Sequence, residues 1–322
     1  MNHRFNFTPG IVYGRTEKIL FIFFLFILFL ISSCITHVGE GDLSWNNLVS
    51  SHSMTSDMEI YKMHYIDIGK GKPVVLIHGF ADSTYSWHEN VQALLENGFR
   101  LIIVDQPGLG LSEIPPKPYV YSIENQSSEV LKLTEHLQLK SFYLIGHSMG
   151  GSIALYITLN HPNKVRKTIV IDPDCFYPPG WDRFFASPEM IKLGSIVEKR
   201  RIVKRTLKNA FYDPGKIDNI MIDEYAKPMN KSGYFKMLSS LRSDYYSPEF
   251  NRMTQRYGHI TTPILIIWGA NDDLVPSDYG KKLNELVHGS EFRILNNCGH
   301  NSHQECKDIV NPLLVESLKK KE

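Results

Sequence analysis

The 322-residue chain has no surplus of charge of either sign: 35 Lys and Arg stand against 34 Asp and Glu, a formal net charge of +1. That balance argues against the broad basic face by which proteins grip phosphate backbones, so nucleic acid is not an expected partner. Cysteine is scarce, four in all, and no two stand in the paired spacing of a metal site. The chain also lacks a phosphate-cradling loop and a dinucleotide fingerprint, so no cofactor is implied. Internal repeats are absent, and low complexity is confined to the first 35 residues. What remains is a chain 43% hydrophobic, able to bury a substantial core.

The amino-terminal run Ile19 to Ile31 lacks charge altogether and follows Arg4, Arg15 and Lys18. Its 13 residues suit the apolar core of a secretory signal and fall short of the roughly 20 needed to span a bilayer. The "ISSC" that follows resembles a bacterial lipoprotein box, with small residues ahead of Cys34. The resemblance implies removal of residues 1–33, lipid attachment at Cys34 and a membrane-anchored place in the cell envelope. Residues 34–57, rich in Ser, Asn and Gly, then form a tether to a domain over 58–322. An uncleaved signal anchor using the 17 residues Ile19 to Ile35, or a plain secretory signal, are the alternatives. All three place the domain in an oxidising or extracellular space. With Cys34 lipidated, an odd number of cysteines is left: Cys175, Cys298 and Cys306. Cys298 and Cys306 flank one short loop, where they close a small bridge or stay as buried thiols.

Beyond the leader, near-continuous apolar runs recur, each ending in small or polar residues: "PVVLIHGF", "FRLIIVDQPGLGLS", "SFYLIG", "KTIVIDPD", "TPILIIWGANDDLVP" and "SEFRILNNCGH". These read as buried parallel strands. Helical patterns lie between several of them, over 84–98, 122–137, 278–287 and 303–320. The alternation predicts an α/β fold with a mostly parallel central sheet covered by helices on both faces and a site at the strand carboxyl ends.

Within "LIGHSMGGS" the pattern Gly146, any, Ser148, any, Gly150 joins an apolar strand to the helix-spaced "SIALYITLNH". A strand, sharp turn and helix bring two backbones so close that only hydrogens fit at the flanking positions, and the serine hydroxyl is lifted above the sheet. In this the chain resembles the α/β-hydrolase family, over roughly residues 60–174 and 260–318. The resemblance implies a nucleophile at Ser148, an orienting acid at Asp272 within "WGANDDLVP", and a base at His300 within "NCGHNSHQE". Asp172, after the strand ending at Ile171, is the reserve acid; Asp273 is the more solvated neighbour, and His303 the second choice of base. The oxyanion formed on attack falls to the backbone amides of Met149, after the nucleophile, and Phe80, after His-Gly. His78 reads as an anchor of the oxyanion loop, Asp105 as a turn cap and His147 as loop packing.

Between Asp174 and about residue 259 the strand-like runs vanish, and the resemblance implies an inserted helical cap. "FYPPGWDRFF" is an aromatic cluster suited to a hydrophobic entrance or to ordinary packing. "EKRRIVKRTLKN" sets Arg200, Lys204 and Lys208 on one helical row with Arg201 and Arg205 beside them, a solvated face or one suited to anionic headgroups. A serine rather than an aspartate at the elbow implies acyl chemistry, as in a carboxylesterase or lipase acting on a small-molecule ester or lipid through an acyl-enzyme. An acyltransferase using the same residues, and a binding protein that keeps the fold without catalysis, are the other function classes.

Overall fold

The computed structural model describes residues 45–176 and 197–320. The leader with Cys34, and all of the aromatic cluster after Phe176, lie outside the described residues. Eight strands form one sheet: β1 (Ser53–Asp57), β2 (Lys62–Ile68), β3 (Lys72–Ile77), β4 (Phe99–Val104), β5 (Phe142–His147), β6 (Val165–Ile171), β7 (Ile264–Gly269) and β8 (Glu291–Leu295), in the order β1-β2-β4-β3-β5-β6-β7-β8. The six strands from β3 onward pair parallel, while β1 and β2 join antiparallel at one edge. This is the α/β-hydrolase architecture expected from the sequence.

The apolar runs are continuous because both faces of the central strands are buried. On β3, Val75 and Ile77 enter one core while Val74 and Leu76 enter the other, and β4 divides Ile102 and Val104 from Leu101 and Ile103 in the same way. Successive side chains leave a strand on opposite faces, so a run without alternation requires a cover on each side. Each such fully buried side chain stabilises the fold by about 1.5–3 kcal/mol. The covers include α2 (Val91–Glu96), α3 (Ile123–His136), α4 (Met149–Asn160), α9 (Asp278–Leu286), α10 (Ser302–Glu305) and α11 (Lys307–Lys319).

Two stretches depart from expectation. Residues 45–57, expected to be part of a tether, belong to the folded domain as α1 (Trp45–His52) and β1, with Ser53 to Asp57 registered against Ile66 to Lys62. β1 carries one buried side chain in five, so its sequence shows no apolar pattern to read. The helical stretch over 84–98 is broken into a 3-10 turn at Thr84–Trp87 and α2, and that over 303–320 is divided at Cys306.

Between β6 and β7 the chain makes α5 (Lys199–Ala210), α6 (Asn219–Ala226), α7 (Tyr234–Tyr245) and α8 (Pro248–Gln255), which form the described part of the cap. Sheet order turns at β3, which has β4 on one side and β5 on the other. Loops leaving the carboxyl ends of β3 and β5 therefore diverge and leave a crevice between them. Phe80 and Ser148 stand at those two ends.

Candidate active site

Ser148 follows β5 directly and starts α4, with φ 51° and ψ −121°. A non-glycine residue held at positive φ is strained, and the neighbours show what holds it there. A Cβ on Gly146 would lie 2.3 Å from the Gly150 carbonyl oxygen, and one on Gly150 would lie 2.2 Å from that of Ile77. Both glycines are thus required by close approach of backbone to backbone, as the turn predicted.

His300 sits in the loop after β8 and joins the other two residues. Its Nε2 lies 2.9 Å from Ser148 Oγ and its Nδ1 2.7 Å from Asp272 Oδ2. Asp272 follows β7; its other oxygen accepts the amides of Leu274 and Val275, each at 2.8 Å, so the carboxylate cannot rotate away. An Nδ1–H donated to Asp272 leaves Nε2 as the acceptor facing the serine. All three side chains are buried. Burial opposes charge on His300, but the bonded Asp272 carboxylate, with Asp172 and Asp174 behind it, outweighs that effect and lifts its pKa to about 9.

The remaining candidates fall into supporting places. Asp172 does not bond His300; its oxygens accept the Gly269 amide at 2.7 Å and the Ser302 hydroxyl at 2.5 Å. Burial and the Asp272 charge push its carboxyl well above the usual range. Asp273 is exposed. His303 turns from the serine and bonds Ser86 Oγ at 3.0 Å, while burial and the His300 charge press its pKa down to about 3. His147 bonds the His300 carbonyl through Nε2 at 3.0 Å, fixing the base from behind.

His78 orients the oxyanion loop. The Gln106 amide donates to its Nε2 at 3.1 Å, so its Nδ1 carries the proton and donates to the Gly79 carbonyl at 2.8 Å. In a trans peptide the following N–H points the opposite way, which turns the Phe80 amide from His78. A Cβ on Gly79 would lie 3.1 Å from the Ser148 Cβ, so this loop passes directly beside the nucleophile's turn. Met149 is the first residue of α4, whose initial amides lack intrahelical acceptors and carry the positive end of the helix dipole. Asp105 accepts the amides of Thr84 and Leu111 and bonds His64 Nδ1 at 2.6 Å, joining the loops after β3 and β4.

Several residues here carry no sequence signal. Glu305 accepts the amides of Gly299, Tyr212 and Asp213, tying the His300 loop to the end of α5. Asp174 is pushed up to about 6 by burial and accepts the Tyr246 hydroxyl, over whose ring Arg242 lies at 5.0 Å. Cys298 and Cys306 form the disulfide that brackets the His300 loop, leaving Cys175 as a buried thiol. Among the described residues no three metal-ligating side chains converge, and no helix is long and apolar enough to cross a membrane.

A family model described as alpha/beta hydrolase fold matches residues 72–305, well over half of the chain. The chain belongs to the α/β-hydrolase family. It is similar to the uncharacterized hydrolase YugF of Bacillus subtilis, 26% identical over 269 residues that cover 81% of this chain and 95% of that protein. It is also similar to a 2-hydroxy-6-oxononadienedioate/2-hydroxy-6-oxononatrienedioate hydrolase of Klebsiella pneumoniae, 28% identical over 268 residues, 80% of this chain and 91% of that one. A solved structure, the esterase EaEST of Exiguobacterium antarcticum, matches 81% of this chain and 96% of its own with a TM-score of 0.69 and 24% identity, a likeness of fold.

Proposed function

We propose that this α/β hydrolase cleaves carboxylic esters through an acyl-enzyme on Ser148. The carrying observation is the single histidine that bridges Ser148 and Asp272 at 2.9 and 2.7 Å, beside the Phe80 loop and the start of α4. As Ser148 Oγ bonds the ester carbon, its proton passes to His300 Nε2, and the carbonyl electrons move to an oxygen held by the Phe80 and Met149 amides. Collapse breaks the carbon–alkoxide bond, and the leaving oxygen takes the proton from His300. Water then repeats the sequence and releases the carboxylic acid with Ser148 restored.

The Klebsiella relative's name describes action on a dienedioate, a substrate with two carboxylates, and hydrolysis of a carbon–carbon bond is the second reading. The local charge supports an ester of a neutral alcohol instead. Asp174 and Asp272 both act on His300, and Asp82 stands in the Phe80 loop. The Arg242 guanidinium is stacked on Tyr246 beside Asp174. An anionic substrate would meet repulsion from these carboxylates at close range.

The test is labelling of the full chain by a fluorophosphonate with Ser148→Ala alongside, followed by rates on neutral esters of graded acyl length and on a dienedioate. Labelling confined to Ser148, with ester turnover exceeding dioate turnover, is the expected result. Faster dioate cleavage would favour the carbon–carbon reading; no labelling of folded protein would leave a binding protein. Acyl transfer is separated by product analysis with an added alcohol. The leader supports anchoring at Cys34, for which loss of labelled-palmitate incorporation in Cys34→Ala is the check.

A further inference from the structure

The cap is more positive than the rest of the molecule. Residues 197–259 hold thirteen Lys and Arg against seven Asp and Glu, a surplus of six in a chain whose total is +1. The excess is concentrated on α5. Val203, Leu207 and Ala210 bury one side of this helix, and Arg201, Lys204, Arg205 and Lys208 stand exposed on the opposite side. Arg200, grouped with that row in the sequence reading, is half-buried and pairs with Asp223 and Asn219 on α6. Arg201 pairs with Glu198 at 3.1 Å, whereas Lys204, Arg205 and Lys208 have no acidic partner among the described residues.

The position of this face relative to the chain's entry point is informative. The described domain begins at Trp45, whose ring meets Tyr85 edge-on at 5.6 Å. Tyr85 meets Tyr225 of α6 edge-on at 5.8 Å, and α6 packs along α5. The chain therefore enters the domain two ring contacts from the cap. Covalent geometry limits the eleven steps from Cys34 to Trp45 to about 40 Å, whatever their conformation.

We infer that the exposed face of α5 is a docking surface for an anionic phospholipid bilayer, which seats the cap against the leaflet. The inference rests on the proposed anchoring of the leader and adds the surface that orients the anchored domain. A lipid-attached Cys34 keeps the domain within one short leash of the headgroups, so that weak contacts act at high effective concentration. Clustered Lys and Arg near an anionic leaflet each add to that attraction. Four cations on the exposed face of a helix packed against α6, which two ring contacts join to Trp45, are placed to choose the orientation.

The experiment uses the full chain with vesicles of phosphatidylcholine alone or with about a third phosphatidylglycerol, measured by co-sedimentation at low and high salt. Three proteins are compared: wild type, a variant combining Arg201→Gln, Lys204→Gln, Arg205→Gln and Lys208→Gln, and a charge-matched control combining Lys70→Gln, Lys132→Gln, Lys281→Gln and Lys319→Gln. Wild type and control should bind the anionic vesicles at least about tenfold more strongly than the neutral ones, a gain that the α5 variant and high salt abolish. Equal binding of both vesicles by wild type, equal losses in control and α5 variant, or salt-sensitive binding to duplex DNA alone overturns the proposal. Failure to bind neutral vesicles, with the anionic gain still lost only in the α5 variant, would refute the anchor and leave the surface standing.

Discussion

The state of His300 sets the expected pH behaviour. A general base must be neutral, and the Asp272 charge holds the histidine's pKa at about 9, so kcat/KM for an ester should rise with pH and level off only near that value. Asp272→Asn removes the charge while burial remains, so the limb should move to lower pH and turnover should fall by up to ~10⁴-fold. Asp172→Asn makes the opposite case. Burial and Asp272 already disfavour charge on that carboxyl, and an amide oxygen can still accept the Gly269 amide, so a loss within about tenfold is expected. Parallel pH–rate profiles of the two variants check both, and a larger loss in Asp172→Asn would reverse the assignment of the acid. The choice of Asp272 came from the resemblance to the family, whose pattern of Gly, two residues, Asp, three residues and Pro is met by Gly269, Asp272 and Pro276. The upward shift of Asp172 was not legible in the sequence, because it follows from burial and from how closely β6 and β7 bring two carboxyl groups.

At the scale of elements, the turn after β5 and the loop after β8 can be tested by what they lack room for or cannot release. A Cβ on Gly150 meets the carbonyl oxygens of Ile77 and His78 at 2.2 and 2.5 Å, and both are backbone atoms that cannot swing aside. Gly150→Ala should therefore prevent soluble folding or lower the melting temperature sharply. Gly233→Ala has nothing within 4 Å and only a positive φ of 79° to strain, a cost of about 1–2 kcal/mol. Thermal melts of the pair should rank accordingly; equal effects would mean that conformational freedom, and not close approach, explains Gly150. The Cys298–Cys306 bridge spans eight positions and encloses His300. Closing so short a loop stabilises by about 2–3 kcal/mol, so reduction or Cys306→Ala should lower unfolding midpoints and depress ester turnover more than substrate affinity. An unchanged midpoint after complete reduction would contradict it. Sequence patterning revealed β3 to β7 because burial on both faces leaves long apolar runs, and β8 although it is a half-exposed edge. It missed β1 and β2, where polar residues interrupt the apolar run, and the breaks in the helices at 84–98 and 303–320, where Thr84 and Ser86 bond the distant Asp105 and His303 and the disulfide closes at Cys306.

For the whole molecule the question is how the cap is held over the crevice, and the contacts give a definite answer. Lys231 donates to the carbonyls of Gly108, Leu109 and Ser112, Tyr245 to that of Met149, and Gln304 to Tyr225, so the cap is moored to the nucleophile's turn and to the His300 loop together. The Tyr246 bond to Asp174 is a mooring that titrates near neutrality. Burial raises that carboxyl from 3.8 to about 6, so the folded state holds a proton that the unfolded chain has released. The stability this contributes is complete below pH 4 and is lost as pH climbs through 6. Two pH units correspond to about 3 kcal/mol, and Asp174→Asn, which does not titrate, should not show it. Urea unfolding of both proteins from pH 4 to 7 should give a difference that grows in favour of the Asn variant and flattens above pH 6. A constant difference would show that Asp174 is ionised throughout, and that Arg242 and Tyr246 compensate its charge fully enough to make the mooring independent of pH.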